Sequence, residues 1–209
     1  MSKEVRHVIN GISAVLLSAC LILAYMSGVS CRAPLECTGL DVVIADSSMN
    51  NFVSKADVKA FLDREYGTYI GQPLDSIDLV QVERIIDGRS AVHKSQAYIT
   101  RDGRLNIRVT QRRPMVRFQK KDGGFYADAD GFLFPLQSSY ASRVQVVDGD
   151  IPLKANSGYK GEITDPKEKE WIEKVLRMVR YMEESKTWKD KIVQMTVSDN
   201  GELTLVPRE

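Results

Sequence analysis

The chain has 209 residues, with 29 Lys and Arg against 28 Asp and Glu, a formal net charge of +1. Charged residues make up 27% and hydrophobic ones 43%, so no strong basic or acidic field points to nucleic acid as a partner. The apolar residues are unevenly spread, and the first of them predict a membrane helix.

Val8 to Val29 is a run of 22 positions with no charged residue, enough for roughly 30 Å of hydrocarbon as a helix. Lys3, Arg6 and His7 precede it and Arg32 follows. Three readings compete. A cleaved signal peptide needs a shorter core, about 7–15 residues. A lipoprotein signal would use Leu17-Ser18-Ala19-Cys20 as a lipobox, yet the chain continues into the apolar Leu21-Ile22-Leu23-Ala24. The third is an uncleaved anchor. The basic flank then stays in the cytoplasm and the bulk of the chain lies outside. Cys31 and Cys37 follow the run; in an oxidising compartment they could pair or remain unpaired.

The next stretch reads strand, helix, helix, strand, strand. Leu40, Val42 and Ile44 alternate as in a half-buried strand. Ser54 and Asp57 form a capping-box pattern, and Val58, Phe61, Leu62 and Tyr66 follow at helical spacing. A second helix starts near Asp78, with Leu79, Val82, Ile85 and Ile86 on one face and Gly88 as its stop. Ala97 and Ile99 then turn through Asp102-Gly103 into Leu105, Ile107 and Val109, a hairpin whose apolar face covers the helices. Pro114 cannot continue a central ladder and marks a change of domain.

The rest is strand-rich. Val116-Arg117-Phe118, Phe125-Tyr126-Ala127 and Phe132-Leu133-Phe134 are joined by the turns Lys120 to Gly124 and Asp130-Gly131. Val144 to Val147 is a further strand, and Gly149 to Gly161 is loop-like. Asp165 caps a long helix, Pro166 suits its first position and Glu168 completes a capping box, with Trp171, Val175, Met178 and Met182 at helical spacing. Val193, Met195 and Val197 pair through Asn200-Gly201 with Leu203 and Leu205.

Catalytic chemistry finds little to stand on. His93 is the only histidine beyond the apolar run and sits at a strand start. The usual His/Cys zinc ligand set is missing, as is a Gly-rich phosphate loop. Asp128 and Asp130 read as turn residues, and Arg112 and Arg113 as a solvated pair at a domain junction. The sequence therefore predicts no catalytic, cofactor-binding or metal residues, and binding is the default.

The order of elements resembles the bacterial cell-division family FtsQ/DivIB, whose first extracytoplasmic module is POTRA-like. The likeness rests on Ser54-Lys55-Ala56-Asp57-Val58, on Ala97-Tyr98-Ile99 and Leu105 to Val109, and most on Gln111-Arg112-Arg113-Pro114, similar to the family's Glu-Arg-Arg-Pro. Phe125 to Gly131, Val146 to Gly149 and Asn200 to Leu205 resemble later family patterns. Two departures stand out: Gly149 to Glu162 is unlike the family, and the family's final helix and strand are not found after Leu205.

The expected fold class is α+β: a single N-terminal transmembrane helix, a POTRA-like β-α-α-β-β module, then a mostly antiparallel β domain with one long helix. The expected bounds are a cytoplasmic tail 1–7, a membrane helix 8–29, a linker 30–37, the module 38–114 and the β-rich domain 115–209. The resemblance implies a non-enzymatic scaffold of the division complex in the cell inner membrane. Its implied partners are FtsB-like and FtsL-like proteins, with FtsK-like and FtsW-like ones beside them. Candidate partner-binding residues are Asn106, Arg108, Arg112, Met195, Val197, Leu203 and Leu205. The rival functions are a POTRA-containing transport or outer-membrane assembly factor, and a cell-wall enzyme or lipoprotein-type envelope binder.

Overall fold

The computed structural model describes residues 3–30, 35–47 and 51–208, and the side chains of 11–25 within the first helix. Helix α1 spans Lys3–Ser30. All of 11–25 is exposed, with Ile12 at 57% and Val15 at 69%, and Leu16, Leu17, Leu21 and Ile22 between those values. At 100° per residue these positions point around the whole circumference of the helix. Among the described residues no helix is long and apolar enough to cross a membrane. The expected span 8–29 runs at both ends into positions whose side chains lie outside the described ones. So does Cys31; Cys20 and Cys37 are free.

The POTRA-like module packs two helices on one face of a three-stranded sheet, in the order β1-β3-β2. Its elements are β1 (Gly39–Ile44), α2 (Lys55–Glu65), a 3-10 turn (Leu74–Ser76), α3 (Leu79–Asp87), β2 (Val92–Ile99) and β3 (Arg104–Gln111). Both helix starts are built by their caps. Ser54 Oγ accepts from the Asp57 N–H, and the Asp57 carboxylate accepts from the Ser54 N–H, closing the expected box. The Asp78 carboxylate accepts from Gln81 N–H. β3 runs parallel to β1 and antiparallel to β2. Its Leu105, Ile107 and Val109 are fully buried under Val58, Leu62, Val82 and Ile86. The opposite sheet face is open.

The second domain is a seven-stranded sheet, ordered β10-β9-β7-β4-β5-β6-β8, with α4 (Pro166–Glu184) on one face. Its strands are β4 (Pro114–Lys120), β5 (Gly123–Asp128), β6 (Phe132–Pro135), β7 (Gln145–Gly149), β8 (Gly161–Glu162), β9 (Ile192–Val197) and β10 (Leu203–Pro207). The four outer ladders are antiparallel. The two at the centre, β4 with β7 and β7 with β9, are parallel, an arrangement the hairpin signals do not reveal. A parallel pair needs a long crossover, and α4 supplies it between β7 and β9. Asp165 caps α4 by accepting from Lys167 and Glu168 N–H, with Pro166 in the first turn. Glu168 does not complete a box; it is buried, 3.9 Å from Lys154 Nζ.

Gly149 ends β7 with a φ of +86°, and any Cβ there would run into the Val197 carbonyl oxygen. That carbonyl also accepts from Asp150 N–H at 2.8 Å, so the chain leaves β7 by hugging the end of β9.

The two domains share a core. Phe125 and Ala127 face α4, while Tyr126 and Phe134 face the other way and join the core of the POTRA-like module. Phe52, just before α2, is the bridge. Its ring packs edge-on against Tyr126, Phe134 and Tyr140 at centroid distances of 5.6, 6.1 and 5.0 Å. Such pairs contribute roughly 0.5–1.5 kcal/mol each beyond their area.

Candidate partner-binding surfaces

The motif Gln111-Arg112-Arg113-Pro114 is the hinge pin between the domains, and each residue has its own task. Gln111 is 1% exposed. Its side-chain oxygen accepts from Val53 N–H at 2.9 Å, and its backbone N–H donates to Asp46 at 3.2 Å. It therefore knots the end of β1 and the start of α2 to the end of β3. Arg113 is exposed. Pro114 opens β4, the place in a strand where a missing N–H costs least.

Arg112 corrects the sequence reading twice. It is not a solvated junction residue, and its side chain is not open to a partner. Only 12% of that side chain is exposed, and Nη1 donates to Asp128 Oδ2 at 2.8 Å. The guanidinium also lies 3.5 Å above the Phe132 ring. Asp128 is buried as well. Besides its ion pair, Oδ1 accepts from the N–H groups of Asp130 and Phe132, which shapes the β5–β6 turn. Asp128 is thus a turn residue, as expected, and also the counterion of a residue 16 positions earlier.

Met195 and Val197 are a further correction. They are 0% and 3% exposed and belong to the core beneath α4. β9 lies between β10 and β7, so the inward face of a central strand is closed to a partner. Its other face carries Gln194 and Thr196, both donating to the Asp148 carboxylate at 2.7 Å.

Leu203 and Leu205 lie on β10, the edge strand, each 36% exposed, with Val206 at 37% beside them. The phase of the hairpin decides which backbone groups are free. Ser198 N–H donates to Glu202 O at 2.9 Å, and Thr204 pairs with Thr196 two positions on. Antiparallel ladders alternate, so Thr204 and Val206 turn their backbone groups toward β9. Leu203 and Leu205 therefore direct N–H and C=O outward from the sheet, where no described strand meets them. Asn106 and Arg108 lie on the open face of the POTRA-like sheet, half-buried and exposed respectively. Candidate surfaces thus remain on both domains, at opposite strands of the chain: the β10 edge and the face around Arg108.

Two carboxyl groups of the first module are held by specific partners. The Arg104 guanidinium, 2.6 Å from Asp41, holds that carboxyl below its ordinary value. A hydrogen bond from Ser54 does the same for Asp57. Among the described residues no group of three His, Cys, Asp or Glu could hold a metal ion.

A module of two helices on a three-stranded sheet, locked to a second sheet by a buried Arg–Asp pair, defines the class. A family model for a POTRA-like domain matches residues 35–110, and one described as FtsQ/DivIB, C-terminal related, matches residues 113–209. Together the two matched regions support the FtsQ/DivIB family, and such domains suggest a division-associated protein. No curated protein matches it.

Proposed function

We propose that this protein is a non-enzymatic, membrane-anchored scaffold of the bacterial division complex, which holds single-pass division proteins together during septation. One observation carries the reading: the second domain, matched to the FtsQ/DivIB C-terminal related family, presents β10 as an open edge with apolar side chains. An edge of this kind is a template for strand addition, because unpaired amides and carbonyls give affinity and alternate side chains give specificity. FtsB-like and FtsL-like proteins are the proposed occupants, with FtsK-like and FtsW-like proteins elsewhere on the scaffold. The anchor is α1, with a cytoplasmic N-terminus and the two domains outside. An apolar surface around the whole circumference, with no protein against it, suits lipid as its solvent.

Depletion tests the reading. Loss of the protein is expected to give filamentous cells with normal outer-membrane barrels, restored by the full chain but not by a version ending at Pro114. Barrel loss without filaments would favour the transport reading and overturn this one.

A further inference from the structure

We propose that the open face of the POTRA-like sheet is a second docking surface, built for an acidic segment of a partner polypeptide. The inference is independent of the β10 edge.

The register sets the composition of this face. Side chains alternate along a strand, so burial of Val42, Ser95, Ile107 and Val109 turns their neighbours outward. Cross-strand pairing then lines up Val43, Arg108 and Gln96 in one row and Asp41, Asn106 and Tyr98 in the next. Lys94 sits opposite Thr110, and Arg104 lies at the start of β3 on the same face. Three cations thus stand against one carboxylate, and that carboxylate, Asp41, is already held by Arg104 at 2.6 and 2.9 Å. Lys94 and Arg108 have no ion-pair partner among the described residues. They flank a depression of about 330 Å³ lined otherwise by Ala45, Gln96 and Thr110, with no acidic group in it.

Two further features point to a polypeptide. Val43 and Tyr98 are 46% and 48% exposed at the margin of this depression's rows, offering apolar contact beside the free charges. Tyr and Arg are the side chains that most often anchor interfaces. Gln96, Asn106 and Thr110 supply amide and hydroxyl groups suited to a peptide backbone. An extended segment carrying Asp or Glu with an apolar residue nearby satisfies all three kinds of group. A lipid phosphate satisfies only the cations.

The test uses the full chain in detergent micelles, with a hexaglutamate peptide as the probe and amide chemical shifts as the readout. The expected result is saturable shifts confined to residues 41–45, 94–98 and 106–110. Lys94→Gln with Arg108→Gln should weaken binding at least tenfold and leave the thermal midpoint unchanged, since both side chains are exposed. Tyr98→Ala should weaken binding of a peptide in which one Glu is replaced by Leu, while leaving hexaglutamate binding nearly unchanged. Shifts spread over all surface cations, or equal binding by the double Gln variant, would overturn the proposal. Vesicles of phosphatidylglycerol provide the second arm. Loss of vesicle binding in the double variant with peptide binding intact would assign the face to lipid and overturn it too. Leu205→Pro must not affect peptide binding, so failure here is distinct from failure of the β10 reading.

Discussion

Asp128→Ala should be among the most damaging polar substitutions in the chain. The mutation removes the acceptor of Arg112 Nη1 and leaves a guanidinium whose side chain is only 12% exposed. Breaking a buried pair by deleting one partner costs about 3–5 kcal/mol, because the other charge stays desolvated. The Asp130 and Phe132 N–H groups also lose Oδ1, at about 0.5–1.5 kcal/mol for each bond. A domain with a total stability of about 5–15 kcal/mol would be brought near unfolding. Arg112→Met should cost less, since Asp128 keeps two backbone donors. The double variant should be more stable than Asp128→Ala alone. The assay is urea unfolding of the detergent-solubilised chain, followed by the fluorescence of Trp171 and Trp188. A cost below about 1 kcal/mol for Asp128→Ala, or a double variant worse than both singles, would mean that the pair does not hold the domain together.

Four further substitutions have outcomes set by particular residues. Val109→Asp, at a fully buried position of β3, should unfold the POTRA-like module by burying an unpaired carboxylate. Thr110→Asp, one residue on and opposite Lys94, should change stability by no more than about 0.5 kcal/mol in thermal unfolding. Gly149→Ala should cost about 2 kcal/mol or more, because the backbone has positive φ and the new methyl meets the Val197 carbonyl; equilibrium unfolding reads this directly. The Asp57 carboxyl is held below its ordinary value of 3.8 by the Ser54 hydrogen bond, so its contribution is present above that pH and lost as pH falls through the lowered value. Asp57→Asn should therefore flatten the stability profile below about pH 4 and leave its slope near neutrality unchanged.

The POTRA-like module is largely legible in the sequence because its signals are local. Ser54 with Asp57, and Asp78, each act within a few residues of themselves and cap as their spacing predicts. Asp102-Gly103 does mark the hairpin, but only Gly103 has positive φ, so the turn is a longer loop between Thr100 and Arg104 and not a two-residue type I′ turn. The second domain is less legible because its decisive contacts are distant. The parallel ladder of β7 with β9 is fixed by a 42-residue connection that no turn signal marks. The Arg112–Asp128 pair joins two motifs that look like separate hairpin punctuation. One signal was available: Phe125-Tyr126-Ala127 and Phe132-Leu133-Phe134 are continuous apolar runs, the pattern of strands covered on both faces. Read that way, they announce that the first module must sit on β5 and β6. The burial of Met195 and Val197 follows the same lesson, since alternation says which residues share a face and not which face meets solvent.

Pairing of partners with the outer edge of β10 is tested by co-purification from crosslinked membranes with two proline variants. Leu205→Pro removes an outward N–H and leaves the bonds to β9, so the protein should fold normally yet recover at least tenfold less of its single-pass division partners. Thr204→Pro removes a bond to β9 and should loosen the hairpin itself. Full recovery of those partners by a folded Leu205→Pro protein would mean that they do not pair with this edge.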